Sequence, residues 1–109
     1  MFIELAGISV AQRSEEQFED ALESLVGAMQ TQTGCLGCRL LKSSPREKWV
    51  YVLARWETQK DLIRHLQSEI YKKLILLMEL STAPPVLEFY SVLEISGLDL
   101  VEAARSVQE

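Results

Sequence analysis

Residues 48–56 read Lys48-Trp49-Val50-Tyr51-Val52-Leu53-Ala54-Arg55-Trp56. Aromatic and β-branched residues crowd this run, as they do in strands. Successive side chains of a strand point to opposite faces. Trp49, Tyr51, Leu53 and Arg55 therefore share one face, and Val50, Val52, Ala54 and Trp56 share the other. Both faces are mostly apolar, so both require cover. One face is then to meet helices and the other a further apolar surface.

The neighbouring segments extend this strand into a fold. Residues 36–43 form a second strand joined to it by Ser44-Pro45-Arg46-Glu47, a short polar connection with proline at a turn position, which predicts a β-hairpin. Upstream, residues 2–10 alternate enough to predict a first strand. Ser14 to Gln17 is a capping-box pattern opening a helix whose apolar face is Phe18, Leu22, Leu25, Val26 and Met29, extending to about Gln32, with Gly34 as its stop. Downstream, Thr58 is placed to cap a helix carrying Leu62 and Leu66. Ser68 is placed to cap its continuation through Ile70, Leu74, Leu77 and Met78 as far as Pro84-Pro85. Residues 86–95 predict a fourth strand, and after Gly97 a short amphipathic tail helix spans Leu98 to Val107.

Strand, helix, strand, strand, helix, strand is the ferredoxin-like split βαβ order of an α+β domain. Its two helices cover one sheet face. The other face is left apolar, which predicts a homodimer whose open faces meet in a dimeric α/β barrel. With 109 residues the chain makes one domain, residues 1–95 as core and 96–109 as tail helix. Hydrophobic residues at 48% and charged residues at 25% are ordinary globular values. A net charge of -5 argues against a nucleic-acid partner. No basic leader or long apolar run is present, so neither secretion nor a membrane partner is expected, and the location predicted is cytoplasmic. Two cysteines, Cys35 and Cys38, are too few for a disulfide scaffold and suit a reducing compartment. Their Cys-Leu-Gly-Cys spacing opens a strand rather than a helix, which disfavours a redox pair; a zinc site would need further ligands, and no metal is predicted.

Three stretches carry a likeness: Thr33-Gly34-Cys35-Leu36-Gly37-Cys38-Arg39-Leu40, Ala54-Arg55-Trp56-Glu57-Thr58, and Leu62-Ile63-Arg64-His65-Leu66-Gln67-Ser68. In content and spacing they resemble the antibiotic biosynthesis monooxygenase family, with its Gly-x-x-Gly entry to the second strand and its Trp-Glu-Ser/Thr followed by His-Leu-x-Ser/Thr. The resemblance implies a ferredoxin-like dimer. It also implies oxidation of a small aromatic or quinol-type compound by oxygen with no bound cofactor. Other branches degrade haem, act on signalling molecules or have no known reaction. The haem-degrading pattern is not met: the chain contains no Asn, and residues 71–80 contain no His. The relay tyrosine of phenol-oxidising members, six residues after the Trp, is replaced by Leu62.

His65 is the only histidine, the residue type that titrates near neutrality, and is the candidate catalytic base. Trp56, Tyr71 and Arg39 are the candidate substrate-binding residues, with Arg55, Tyr51 and Tyr90 as further polar or aromatic groups. Arg55 and Tyr51 lie on the strand face opposite Trp56, so the three cannot line one cavity in a regular strand. The alternative to catalysis is a non-catalytic dimer of the same fold that binds a small ligand. A histidine facing a free volume would favour the first reading, and a closed pocket without it the second.

Overall fold

The computed structural model describes residues 1–11, 15–42 and 48–106. Its elements run β1 (Phe2–Ser9), α1 (Glu15–Gln30), β2 (Cys35–Lys42), β3 (Trp49–Trp56), α2 (Gln59–Leu66), α3 (Glu69–Met78), β4 (Val86–Ser91) and α4 (Leu98–Ser106). The four strands form one antiparallel sheet in the order β2-β3-β1-β4. This is the ferredoxin-like α+β arrangement. The predicted Ser14 cap, the Ser44–Glu47 connection and Val107 lie outside the described residues.

Alternation places the core as expected. Val50, Val52, Ala54 and Trp56 of β3 are buried, together with Ala6 and Ile8 of β1 and Cys38 of β2, beneath Phe18, Leu22, Leu25, Val26 and Met29 of α1 and Leu74 and Met78 of α3. On the opposite, helix-free face Ile3, Leu5, Trp49, Tyr51, Leu53 and Val86 are half-buried. α1 ends at Gln30, two residues earlier than its apolar period suggests.

Two other differences from the sequence reading have physical causes. β4 ends at Ser91 instead of residue 95. Its pairing with β1 closes at Phe2↔Ser91, after which Val92 N–H donates to the Met1 carbonyl at 2.8 Å and the Met1 amine to the Val92 carbonyl at 3.4 Å. Leu93 and Ile95 consequently leave the sheet and stand exposed. The second helical region is two helices rather than one, because Ser68 adopts the extended backbone of an N-cap, φ -82° and ψ 161°. α4 is amphipathic as predicted but buries no residue. No helix among the described residues is long and apolar enough to cross a membrane.

Candidate functional site

Two N-caps position the key side chains. The Thr58 hydroxyl accepts from Asp61 N–H at 3.1 Å and donates to the Asp61 carboxylate at 2.8 Å, starting α2 directly after β3. Gly34, at φ +83°, lets Asp61 pack against the turn into β2; a Cβ at this position would overlap the Asp61 side chain. Seven residues past the Thr58 cap, His65 points from the last turn of α2 onto the sheet. The Ser68 hydroxyl then accepts from Tyr71 N–H at 3.2 Å and donates to the His65 carbonyl at 2.7 Å. One side chain thereby ties the end of α2 to the start of α3.

The result is a buried polar cluster inside the helix–sheet interface. The His65 ring stacks on Trp56 with centroids 4.3 Å apart, and Tyr71 meets it edge-on at 5.2 Å. His65 Nε2 lies 3.1 and 3.3 Å from the two carboxylate oxygens of Glu4 on β1. Glu4 Oε1 also accepts from Trp56 Nε1–H at 3.2 Å. The other ring nitrogen, Nδ1, lies 2.7 Å from the Gln32 side-chain oxygen, in the short connection between α1 and β2. Glu4 is 0% exposed and His65 1%.

With Glu4 ionised, Nε2 carries a proton directed at the carboxylate, and what happens at Nδ1 follows the orientation of the Gln32 amide. Its oxygen facing Nδ1 suits an imidazolium; turned over, its N–H₂ donates to a neutral ring. The cluster thus sets Nε2 against the Glu4 carboxylate and Nδ1 against the Gln32 amide. Tyr71 is pushed above the usual phenol range, chiefly by burial and further by the Glu4 charge, so it stands as a neutral wall and not as a base.

Sequence reasoning found His65, Trp56 and Tyr71, and the structure brings them together. Arg39 is not with them. The β2–β3 register pairs Arg39 with Leu53, on the helix-free face opposite Trp56. Glu4 and Gln32 were missed. Glu4 carried a signal, since period two places it with Ala6 and Ile8 on the buried face of β1. Cys38 is buried and its thiol is pushed up to about 12, mainly by burial, while half-buried Cys35 is raised for the same leading reason. Such thiols are poor nucleophiles.

Among the described residues, surface depressions include the following three. One of about 520 Å³ lies between the end of α3 and the start of β4, lined by Ile75, Met78, Pro84 and Leu87 among others. A second lies on the outer side of α2 beside Ile63 and Gln67, and a third of about 280 Å³ on the helix-free face is lined by Gly37, Arg39, Leu53 and Arg55. Trp56, His65 and Tyr71 line none of these three.

A family model described as antibiotic biosynthesis monooxygenase matches residues 1–75. The chain belongs to that family. Members of the antibiotic biosynthesis monooxygenase family are also found among the solved structures of this fold. A Deinococcus radiodurans protein titled as a candidate antibiotic biosynthesis monooxygenase superposes with a TM-score of 0.79 at 15% identity, covering 89% of this chain and 97% of that one. Rv0793 of Mycobacterium tuberculosis gives 0.76 at 16%, covering 88% and 98%. A conserved protein of Methanosarcina mazei Go1 gives 0.73 at 19%, covering 82% and 89%. At such identities these likenesses establish the shared fold. No curated protein matches the sequence.

Proposed function

We propose that this protein is a cofactor-independent monooxygenase acting on a small aromatic or quinol-type compound, and that it works as a homodimer. The observation that carries the reading is the Glu4–His65 pair, buried in an otherwise apolar interface. Removing two ionisable groups from water is costly, and such pairs concentrate where proton transfer is needed. Glu4, held by Trp56 N–H, fixes the proton on Nε2 and leaves Nδ1 as the acceptor. The Gln32 amide stands where a substrate hydroxyl would sit. Turning it aside lets Nδ1 take the hydroxyl proton, with Glu4 stabilising the imidazolium. The resulting electron-rich ring anion reacts with oxygen at carbon; one oxygen atom stays on the ring, and the other leaves as water with two hydrogens from the substrate. Trp56 and Tyr71 form aromatic walls beside the base.

Oxygen uptake over a panel of hydroquinones tests this. A well-placed general base contributes roughly 10²- to 10⁴-fold, and His65→Ala is expected to lose that much in kcat/KM. Equal traces for wild type and His65→Ala would remove His65 from the chemistry. A second reading, a non-catalytic ligand-binding dimer, is favoured by one observation: the cluster lines none of the three depressions described. Ligands that raise the melting temperature without oxygen consumption would select it.

A further inference from the structure

Four polar and aromatic side chains meet the His65 ring, and they differ in their exposure. Trp56 stacks on it, Tyr71 meets it edge-on, and the Glu4 carboxylate stands 3.1 and 3.3 Å from Nε2. All three are buried, Glu4 and Trp56 completely. Gln32 is the exception. Its side-chain oxygen lies 2.7 Å from Nδ1, yet the residue is only half-buried and sits between α1 and β2. Among these four neighbours, the side leading outward is therefore the one over Nδ1, and a single amide occupies it.

The turn that carries Gln32 is held in place. Thr31 donates to the Ala28 carbonyl through its N–H at 3.2 Å and through its hydroxyl at 2.7 Å, and Gln32 N–H donates to the Met29 carbonyl at 3.1 Å. The Gln32 carbonyl accepts from Cys35 N–H at 3.1 Å, and the Gly34 carbonyl from Glu57 N–H at 2.8 Å. Just upstream, the Gln30 amide donates to the Cys38 carbonyl at 2.8 Å. With backbone bonds on both flanks, the Gln32 side chain is the part free to move, and rotamer exchange is the fastest such motion.

We propose that Gln32 is the gate of this site and its selectivity element: the side chain swings out to admit a ligand, and the ligand that replaces it presents a hydroxyl donor to Nδ1. This rests on the reading of His65 as the base and adds the entrance and the chemical requirement at it. With the Nε2 proton directed at Glu4, Nδ1 is an acceptor, which the Gln32 N–H₂ satisfies when the amide is turned that way. Among the described residues no buried side-chain nitrogen or oxygen lacks a partner in the closed arrangement. Withdrawing the amide orphans Nδ1. A phenol restores the bond one for one, whereas its methyl ether has no hydrogen to give and leaves a buried acceptor bare. Sites built around such a bond reject analogues that lack the hydroxyl.

His65 is the only histidine, so its carbethoxylation by diethyl pyrocarbonate, followed by ultraviolet absorbance, reports access to the ring without turnover. Gln32→Ala, which clears the opening, is expected to react at least about tenfold faster than wild type, and Gln32→Met, which keeps the bulk, to stay within about threefold of it. Gln32→Ser serves if the alanine variant does not fold. The thiol of buried Cys38 monitors global opening in the same protein, and its rate is expected to be unchanged. Equal His65 rates in wild type and Gln32→Ala overturn the gate, as does an acceleration matched at Cys38, which would trace access to unfolding. In Gln32→Ala, phenol is expected to protect His65 saturably and anisole at least about fivefold more weakly. No protection by phenol, or equal protection by anisole, overturns the hydroxyl requirement. Neither readout consumes oxygen, so hydroquinones left unoxidised would refute the monooxygenase reading and leave the gate standing as the entrance to a binding site.

Discussion

Replacing His65 by leucine leaves the Glu4 carboxylate 0% exposed, with the Trp56 N–H as its remaining side-chain partner. Breaking a buried pair from one side typically costs about 3–5 kcal/mol, because the surviving charge has no compensation. For a domain of this length that corresponds to a fall in Tm of roughly 12–20 °C, at about 4 °C per kcal/mol. Glu4→Leu is milder. It orphans the Trp56 N–H and the Nε2 proton of a neutral histidine, about 1–3 kcal/mol each, against which a buried leucine returns about 1.5–3 kcal/mol. The double variant Glu4→Leu/His65→Leu removes the carboxylate together with its imidazole partner and orphans the indole alone, so it is expected to be more stable than His65→Leu by about 2 kcal/mol or more. Urea denaturation at one fixed protomer concentration, with m-values compared across the four proteins, measures the cycle. Additive losses would refute the coupling, and with it the claim that the carboxylate and the imidazole compensate one another in the interior.

Two further outcomes follow from single residues. Gly34→Ala imposes a side chain at φ +83° against Asp61 and should cost about 1–3 kcal/mol by the same denaturation assay, whereas a loss below a few tenths would show that the turn relaxes freely. At pH 8, Cys38 in the native protein should resist a thiol-specific disulfide reagent, half-buried Cys35 should react slowly, and both should react at ordinary rates in denaturant; a native Cys38 as fast as Cys35 contradicts the burial argument. The raised Cys38 value also fixes a sign. The folded state prefers the neutral thiol, so this contribution to stability is complete below the ordinary value of 9.0 and is lost as pH rises from there towards about 12.

How much was legible in the chain depended on whether local chemistry or long-range pairing decided each feature. Helix starts at Thr58 and Ser68 were readable because capping is a local hydrogen bond, whereas the meeting of His65 and Tyr71 with Trp56 follows from how α2 and α3 pack on the sheet. The alternation of residues 86–95 continues through Leu93 and Ile95, but alternation carries no information about the register with β1, whose pairing closes at Phe2↔Ser91. Arg39 was grouped with Trp56 because the face of β2 follows its register against β3, with an irregularity between Cys35 and Gly37 on the way. Gln32 reaches His65 through a turn outside any period, closed by the positive φ of Gly34. Glu4 was open to view as a carboxylate in the inward phase of an apolar strand.

The stacking of His65 on Trp56 gives the molecule an optical reporter of its own. Only two tryptophans are present. Trp56 is wholly enclosed and lies 4.3 Å from an imidazole, whose charged form quenches indole emission, whereas Trp49 is half-buried beside Tyr51 at 6.1 Å. A blue-shifted component therefore belongs to Trp56 beside the catalytic candidate and a redder component to the helix-free face. Brightening of the first would register the parting of indole and imidazole, and a shift of the second would register a change in the cover over the sheet, so the two events are separable in one spectrum without any added label.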